Sequence, residues 1–456
     1  MKSDIIVIGA GASGLMAAYS AAKTLVESGS DASVALLEKM PRAARKIMIT
    51  GKGRCNFTNL KDWNEFSLHI RSNPNFVKSA FYALTPSDLI KFFEKYGMPS
   101  VVERGDRVFP SSHHSSDVVD TLLAACHGYG VKTVFEAEVS TISNSDGVFR
   151  ITMADGTEWI CKKLVICTGG LSYPSTGSTG QGYEWVKGFG HSVTSLFPSL
   201  TALVPVGYKH TESKDLHIHR ETHLTELGEK LCGIQLKNVG VKLLLNGNEV
   251  QSEFGDVDFT DGGIEGPVGF QLSRKSVKAM INGSKVSIVL DLKEGVSLTE
   301  LTQRVKTLWE EIDKDPRSRN LREKEKCRIL LGKLMPWDLI PAFVSCHPEI
   351  LTLERKSRTK TKVWINLLSI AKALKNWKFD IAGYVGYERA VVTAGGVDTD
   401  EFISKTMESR IVNGLYVSGE LFDVDADTGG YNLQLAFSTG SLAGQNAAKA
   451  LVSKKS

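Results

Sequence analysis

No apolar run in the 456 residues approaches the roughly 20 that a membrane-spanning helix requires. The stretch Ile5 to Ala22 follows Lys2 and is apolar enough to imitate a signal peptide, but Asp4 and three glycines interrupt that pattern. A cytoplasmic protein with no membrane partner is therefore expected. Charge of one sign is also scarce: 55 Lys and Arg face 51 Asp and Glu, and a formal net charge of +4 carries no global signature for nucleic acid. Cysteine is sparse, odd in number and scattered, seven residues with no C-x-x-C pair, which reads as reduced thiols and argues against a dithiol reductase. Cys161 and Cys167 read as lying on one strand-like run, side chains on the same face and too far apart to bridge. Internal repeats and low-complexity tracts are absent, and 456 residues exceed one ordinary domain.

What is present begins almost at residue one. The apolar run Asp4 to Ile8 leads into Gly9-Ala10-Gly11-Ala12-Ser13-Gly14 and then an Ala-rich helical stretch predicted over Ser13 to Glu27. At G-x-G-x-x-G spacing each glycine has its own task. Gly9 permits the tight turn, Gly11 lets backbone approach a pyrophosphate, and Gly14 lets helix pack on sheet. The helix aims unpaired N–H groups and about half a positive charge at the phosphates. The next apolar run, Ser33 to Leu37, ends in Glu38-Lys39, where the acid is placed to accept hydrogen bonds from an adenosine ribose and disfavours a 2′-phosphate. The residues alone admit FAD or NAD at this turn. A second complete strand–G-x-G-x-x-G–helix unit with its own acid is missing, so any NAD(P)H must dock transiently.

The rest of the chain reads as an α/β protein with a Rossmann-like domain split in sequence. Its first part covers 1–194. Short β-rich runs (Leu203 to Gly207, Val239 to Leu245, Glu249 to Phe254, Val286 to Leu292) indicate an inserted β domain over 195–295. Charged helical text marks a small helical domain over 296–345, a β-rich return follows over 346–375, and 376–456 closes the nucleotide-binding sheet. Within the first part, Thr133 to Ile142 reads as one strand, and Phe149 to Met153 pairs with Thr157 to Cys161 across Asp155-Gly156.

The loop Arg45-Lys46-Ile47-Met48-Ile49-Thr50-Gly51-Lys52-Gly53-Arg54-Cys55-Asn56-Phe57-Thr58-Asn59 combines flexible backbone with cations and amide side chains, a composition suited to a phosphate or a flavin edge. This segment resembles the G-R-K…S-G-x-G-R-C-N-x-T-N signature of the BaiN and aminoacetone oxidase-like flavoproteins. The resemblance continues through Cys167-Thr168-Gly169-Gly170 to Tyr183, through Ala390 to Val397, Thr406 to Ser409, and Gly414 to Asn432. It implies FAD as cofactor and a two-part FAD domain interrupted by β-barrel and helical inserts. It also implies flavin-side roles for Arg45, Lys46, Gly53, Arg54, Cys55 and Asn56, and contacts from Thr168, Gly169 and Gly170. Val139 would meet the adenine through its backbone, Gly419-Glu420 would form a second FAD turn, and Gly430-Tyr431-Asn432-Leu433 would open a helix toward the flavin pyrimidine. Two departures are visible. Ala44 stands where the family has glycine, so a backbone of positive φ there would be strained. The family's T-H-x-G-x-S-G-P motif is here Thr260-Asp261-Gly262-Gly263-Ile264-Glu265-Gly266-Pro267, so neither Asp261 nor Glu265 inherits a catalytic role.

Other signals have blander readings. His210, His217, His219 and His223 read as a solvated loop, and no metal site is expected. The basic run Arg355, Lys356, Arg358, Lys360 and Lys362 reads as an exposed strand edge, and Asp423, Asp425 and Asp427 as loop-capping residues. Cys55 reads as a packing thiol. The expectation is an FAD-dependent oxidoreductase that moves hydride between flavin N5 and a small-molecule substrate, with transient NAD(P)H as donor. An amine oxidase using oxygen is one alternative. A flavoprotein acting on nucleic acid, of the tRNA-modifying type, is another, with the basic run as its only support. The catalytic residues and the oligomeric state are left open.

Overall fold

The computed structural model describes residues 1–211, 215–355 and 361–453. It divides into two compact units, Met1–Ser199 with Ala390–Ser456, and Leu200–Arg389.

The first unit is built on a seven-stranded sheet. At its centre β1 (Ile5–Ile8) runs parallel to β2 (Val34–Leu37) on one side and to Lys163–Ile166 on the other. Leu415–Val417 then adds to Lys163–Ile166, and Lys132–Val134 to β2. β1, β2 and Leu164–Ile166 are continuous aliphatic runs buried throughout, as a parallel sheet covered on both faces demands. Each such side chain withdrawn from water contributes about 1.5–3 kcal/mol. Helix α1 (Ala12–Glu27) leaves β1 directly and packs against the long C-terminal helix Gly429–Val452. Their approach is set by small residues: a Cβ on Gly440 would lie 2.2 Å from the Ser13 carbonyl oxygen, and one on Gly444 would lie 2.0 Å from that of Ala17. Ser20 and Ser441 hydroxyls meet at 3.0 Å across the same seam.

Two readings of this region change. The run 133–142 is not one strand; Lys132–Val134 belongs to the central sheet and Val139–Ser145 opens a three-stranded antiparallel sheet with Val148–Met153 and Glu158–Cys161. Cys161 ends that sheet, and the chain crosses at Lys162 to the parallel strand Lys163–Ile166, which leads to Cys167. The two thiols therefore do not share a strand.

The second unit is a closed six-stranded barrel in the order Leu203–Pro205, Gly263–Glu265, Asn248–Thr260, Gln235–Leu245, Val286–Asp291 and Trp377–Tyr384. Val241, Leu243, Val257, Phe259, Ile288 and Leu290 are buried in it, and the helix Gly266–Ile281 packs on its strands. The helices Leu298–Lys314, Glu323–Gly332, Ile340–Cys346 and Leu367–Lys375 belong to this same unit, as does the hairpin Leu351–Arg355 with Thr361–Ile365. The return to the first unit comes at Ala390 and not at 376, because Trp377–Tyr384 pairs with both Val286–Asp291 and Leu203–Pro205 and closes the barrel. Among the described residues no helix is long and apolar enough to cross a membrane.

Candidate active site

The parallel sheet of the first unit ends in a cleft at the carboxyl ends of its strands, where open α/β sheets bind ligands. It encloses about 1470 Å³ of free space including its open mouth.

The glycine turn forms its floor. Gly9 takes φ +97° and has the Cys167 carbonyl oxygen 2.7 Å from where a Cβ would be; a Cβ on Gly14 would lie 1.8 Å from the Gly9 oxygen. Gly11 has open space in that direction and lines the cleft. Behind the turn, the Glu38 carboxylate accepts from the Ala10 N–H at 2.7 Å and the Met40 N–H at 2.8 Å, fixing the acid at the end of β2. Ala44 takes φ +51°, the strained conformation its family-glycine position implies, and its N–H donates to the Ala10 carbonyl at 2.8 Å.

Two helix N-termini belong to this cleft. No side chain caps the start of α1, and no acid occupies its first turn; the same is true of the helix that begins at Gly429. Ala12 and Ser13 from one, and Gly429, Asn432 and Leu433 from the other, line the cleft. Uncapped first-turn N–H groups leave donors and partial positive charge for an anionic ligand. The second start is held by its own side chains. Asn432 accepts from the Ala426 N–H at 3.0 Å and donates to the Ala426 and Thr428 carbonyls, while Tyr431 stacks on His69 at 4.4 Å. Asp427 pairs with Arg71 and His69, and Asp425 accepts from Ser72 and Ser199. These buried aspartates tie the preceding loop down, in keeping with a capping role.

Of the residues singled out in the sequence, Gly9, Gly11, Ala12, Ser13, Glu38, Lys39, Arg45, Lys46, Val139, Thr168, Gly169, Gly419, Glu420, Asn432 and Leu433 line the cleft. Ala10, Gly14, Gly53, Arg54, Cys55, Asn56, Gly170, Gly430 and Tyr431 are not part of that lining. Arg54 turns to Glu103 and to His113 Nδ1 at 3.0 Å, over the Phe109 ring. Cys55 is fully buried, and burial pushes its thiol up to about 12, as it does for Cys167; neither is a ready nucleophile. Asn56 packs behind Gly430, where a Cβ would meet its amide at 2.6 Å.

The wall also contains residues the motifs did not single out as ligand contacts: Arg42, Ser178, Thr179, Gln181, Trp185, Val391 and Val392. Lys39 Nζ donates to Thr179 at 2.6 Å and Gln181 at 3.1 Å, and burial holds its pKa below the usual lysine range against the pull of Glu138 and Glu38. The Gly177 to Tyr183 text was the available signal. Lys46 pairs with Glu420 at 2.8 Å, and Glu420 also accepts from the Thr393 N–H at 2.8 Å.

The fit to a dinucleotide rests on more than shape. The buried Oγ1 of Thr168, in the cleft lining, has no hydrogen-bond partner, and such an orphan in a native protein calls for a ligand or solvent partner. Split parallel sheet, fingerprint turn, ribose-type acid and paired helix starts define an FAD-dependent oxidoreductase.

The chain belongs to the family described as "HI0933-like protein Rossmann domain", whose profile matches residues 3–446. It is 32% identical over 443 residues to a ribosomal RNA dihydrouridine synthase of Haemophilus influenzae, covering 96% of each chain. It is 30% identical over 443 residues to a 3-dehydro-bile acid delta(4,6)-reductase of Clostridium scindens, covering 97% of this chain and 98% of that one. Among solved structures, the 3-ketosteroid delta1-dehydrogenase of Sterolibacterium denitrificans superposes with TM-score 0.50 over 98% of this chain and all of the other, at 11% identity, a likeness of fold alone.

The second unit holds its own charged cluster. Arg389 pairs with Glu265 and, at 2.6 Å, with Asp261, the two acids that replace His and Ser of the family motif. Both departures are thus answered by one guanidinium. Burial opposes ionisation of Asp261, but Arg389 overrides it and holds the carboxyl below its usual range. His210 and His223 are joined through backbone, whereas His217 and His219 lie against Glu388, which the solvated-loop reading did not anticipate. Of the basic run, Lys356, Arg358 and Lys360 fall outside the described residues.

Proposed function

We propose that the protein is a reductase that adds hydride and a proton across a carbon–carbon double bond conjugated to a carbonyl, with a uracil ring of ribosomal RNA as substrate and NAD(P)H as transient electron donor. The observation that carries this reading is a shared bond change. One relative is named for making dihydrouridine, the other for removing the 4,6-unsaturation of a 3-oxo bile acid. Uracil C5=C6 and a steroid enone are both electrophilic at the carbon β to a carbonyl. The RNA substrate is preferred because it belongs to the relative with the higher identity of the two, 32% against 30%. The sequence argument against nucleic acid rested on net charge, which does not report local surfaces.

Bound FAD supplies the hydride chemistry at flavin N5. Everything else falls to the chain. Glu38 would hold the adenosine ribose, the uncapped start of α1 with Gly11 would receive the pyrophosphate, and the start of the helix Gly429–Val452 would offer its donors to the flavin. There its donors stabilise negative charge. Arg42, Arg45 and Lys46 supply cations along the same wall.

The test is anaerobic. NADH or NADPH should bleach the purified yellow protein, and colour should return on adding ribosomal RNA from cells lacking this gene, with one new dihydrouridine seen by mass spectrometry. Recovery with an enone steroid but not RNA would move the substrate to the small-molecule class. Bleaching by an amine and not by nicotinamides would replace the reductase with an oxidase.

A further inference from the structure

In the second unit the short segment around Ile218 runs beside the end of strand Trp377–Tyr384. The Ile218 N–H donates to the Tyr384 carbonyl at 2.9 Å, and the Tyr384 N–H to the Leu216 carbonyl at 2.8 Å. Ile218 is buried by this pairing. Extended backbone alternates its side chains, so His217 and His219 both face outward on the opposite side. Their rings lie 4.7 Å apart. Just past the strand, the turn at Gly386 brings Glu388 to them, with His217 Nε2 3.2 Å from Glu388 Oε1. A Cβ on Gly386 would lie 2.2 Å from His217 Nε2 and 2.6 Å from Glu388 Oε2, so glycine leaves the room in which these two groups meet.

One donor atom from each of His217, His219 and Glu388 falls within 4.8 Å of the others, the one such trio of metal-ligating groups among the described residues. A tetrahedral ion with bonds of about 2.0–2.1 Å separates neighbouring ligand atoms by about 3.4 Å. The His217–Glu388 spacing already matches one edge, and a His219 ring nitrogen lies within 4.8 Å of both. The nearby cations do not oppose a metal ion, since Arg389 is paired with Glu265 and Asp261, and Arg220 lies 3.7 Å from Asp261.

We propose that His217, His219 and Glu388 bind a divalent late first-row transition ion of the zinc type, with solvent in the remaining position. Two imidazoles and one carboxylate select such an ion over magnesium or calcium, which require mostly oxygen ligands. The ion clips the segment containing the two histidines to the end of the barrel strand that precedes Glu388. The site is independent of the flavin and of the reaction proposed above.

The experiment uses full-length, tag-free, flavin-loaded protein stripped of metal and titrated with zinc chloride by calorimetry, with cobalt(II) difference absorption as a second probe. We expect one equivalent bound, affinity lowered at least about 10-fold in His219→Ala and in Glu388→Gln, and that binding abolished in the His217→Ala/His219→Ala pair. Circular dichroism and the flavin band should be unchanged in all three, because His217 and His219 are exposed and Glu388 is only partly buried. Wild type that takes up no zinc, or an isotherm unchanged in the double variant, would overturn the site; the second outcome would assign the binding to cysteines or adventitious groups.

Discussion

The two units handle charge in opposite ways. In the first, the floor of the cleft is built largely from backbone, two helix starts without caps, a glycine turn, and one acid already engaged by two N–H groups, with Arg42, Arg45 and Lys46 only along its wall. In the second, charge is carried by side chains, with Arg389 between Asp261 and Glu265, and two histidines against Glu388. A backbone site is specified by what is missing at a position, a Cβ or a cap, whereas a side-chain cluster is specified by what is present. The first kind tolerates few substitutions at its glycines and is indifferent to much else. The second can be rebuilt one residue at a time.

The sharpest break of this contrast is Gly14→Ala. Its new methyl carbon would have to occupy space 1.8 Å from the Gly9 oxygen, so the turn must open, and we expect purified protein with no bound flavin by its visible spectrum. Next in size, Arg389→Met strands Glu265, whose side chain is 9% exposed. A buried carboxylate without its partner costs about 3 kcal/mol, seen as a lower denaturant midpoint for the second unit while flavin content is retained. Loss of flavin in that variant would erase the distinction between the units. Glu38→Ala removes the acceptor offered to the ribose and leaves the Ala10 N–H unpaired. An FAD affinity lower by about 10–100-fold is expected, read by flavin fluorescence on dilution, from the loss of charged hydrogen bonds of about 1.5–3 kcal/mol.

The smallest effect concerns pH. Burial lowers the pKa of His191 below its ordinary 6.5, although Glu401 pulls the other way. The unfolded chain therefore binds a proton at a higher pH than the folded one. The contribution of this residue to stability is whole above 6.5 and is lost as pH falls through the folded value. Between pH 7 and 5 the thermal midpoint should drop further in wild type than in His191→Gln, and equal slopes would remove His191 from the account.

How much of this could be read from sequence follows from the same contrast. The roles of Gly9 and Gly14 were legible because each depends on a few adjacent residues, whereas the strain at Ala44 came from the family pattern and the helix expected near Leu433 begins at Gly429. The barrel's last strand was not: Trp377–Tyr384 is joined to the unit by pairing with strands 87 and more residues earlier in the chain, and nothing local marks it as theirs. Arg54 shows a related non-locality. Its loop has the composition of a ligand contact, but Glu103 and Phe109, on a separate pair of strands, claim its guanidinium. Thr179 and Gln181 reach the cleft through Lys39, a partner 140 residues away. The cluster at His217 needed Glu388, and no spacing along the chain relates them.

The seam between α1 and the C-terminal helix has a consequence in time. Gly440 and Gly444 lie against Ser13 and Ala17, so the first segment of the nucleotide site to be synthesised meets its other half only after the residues of the barrel unit have been made. Until then the glycine turn has no opposing wall, and a contact spanning more than four hundred residues must wait for both units' chain to be made. Cofactor loading thus waits for the helix Gly429–Val452, and a ribosome paused anywhere in the barrel carries a protein that cannot yet be yellow.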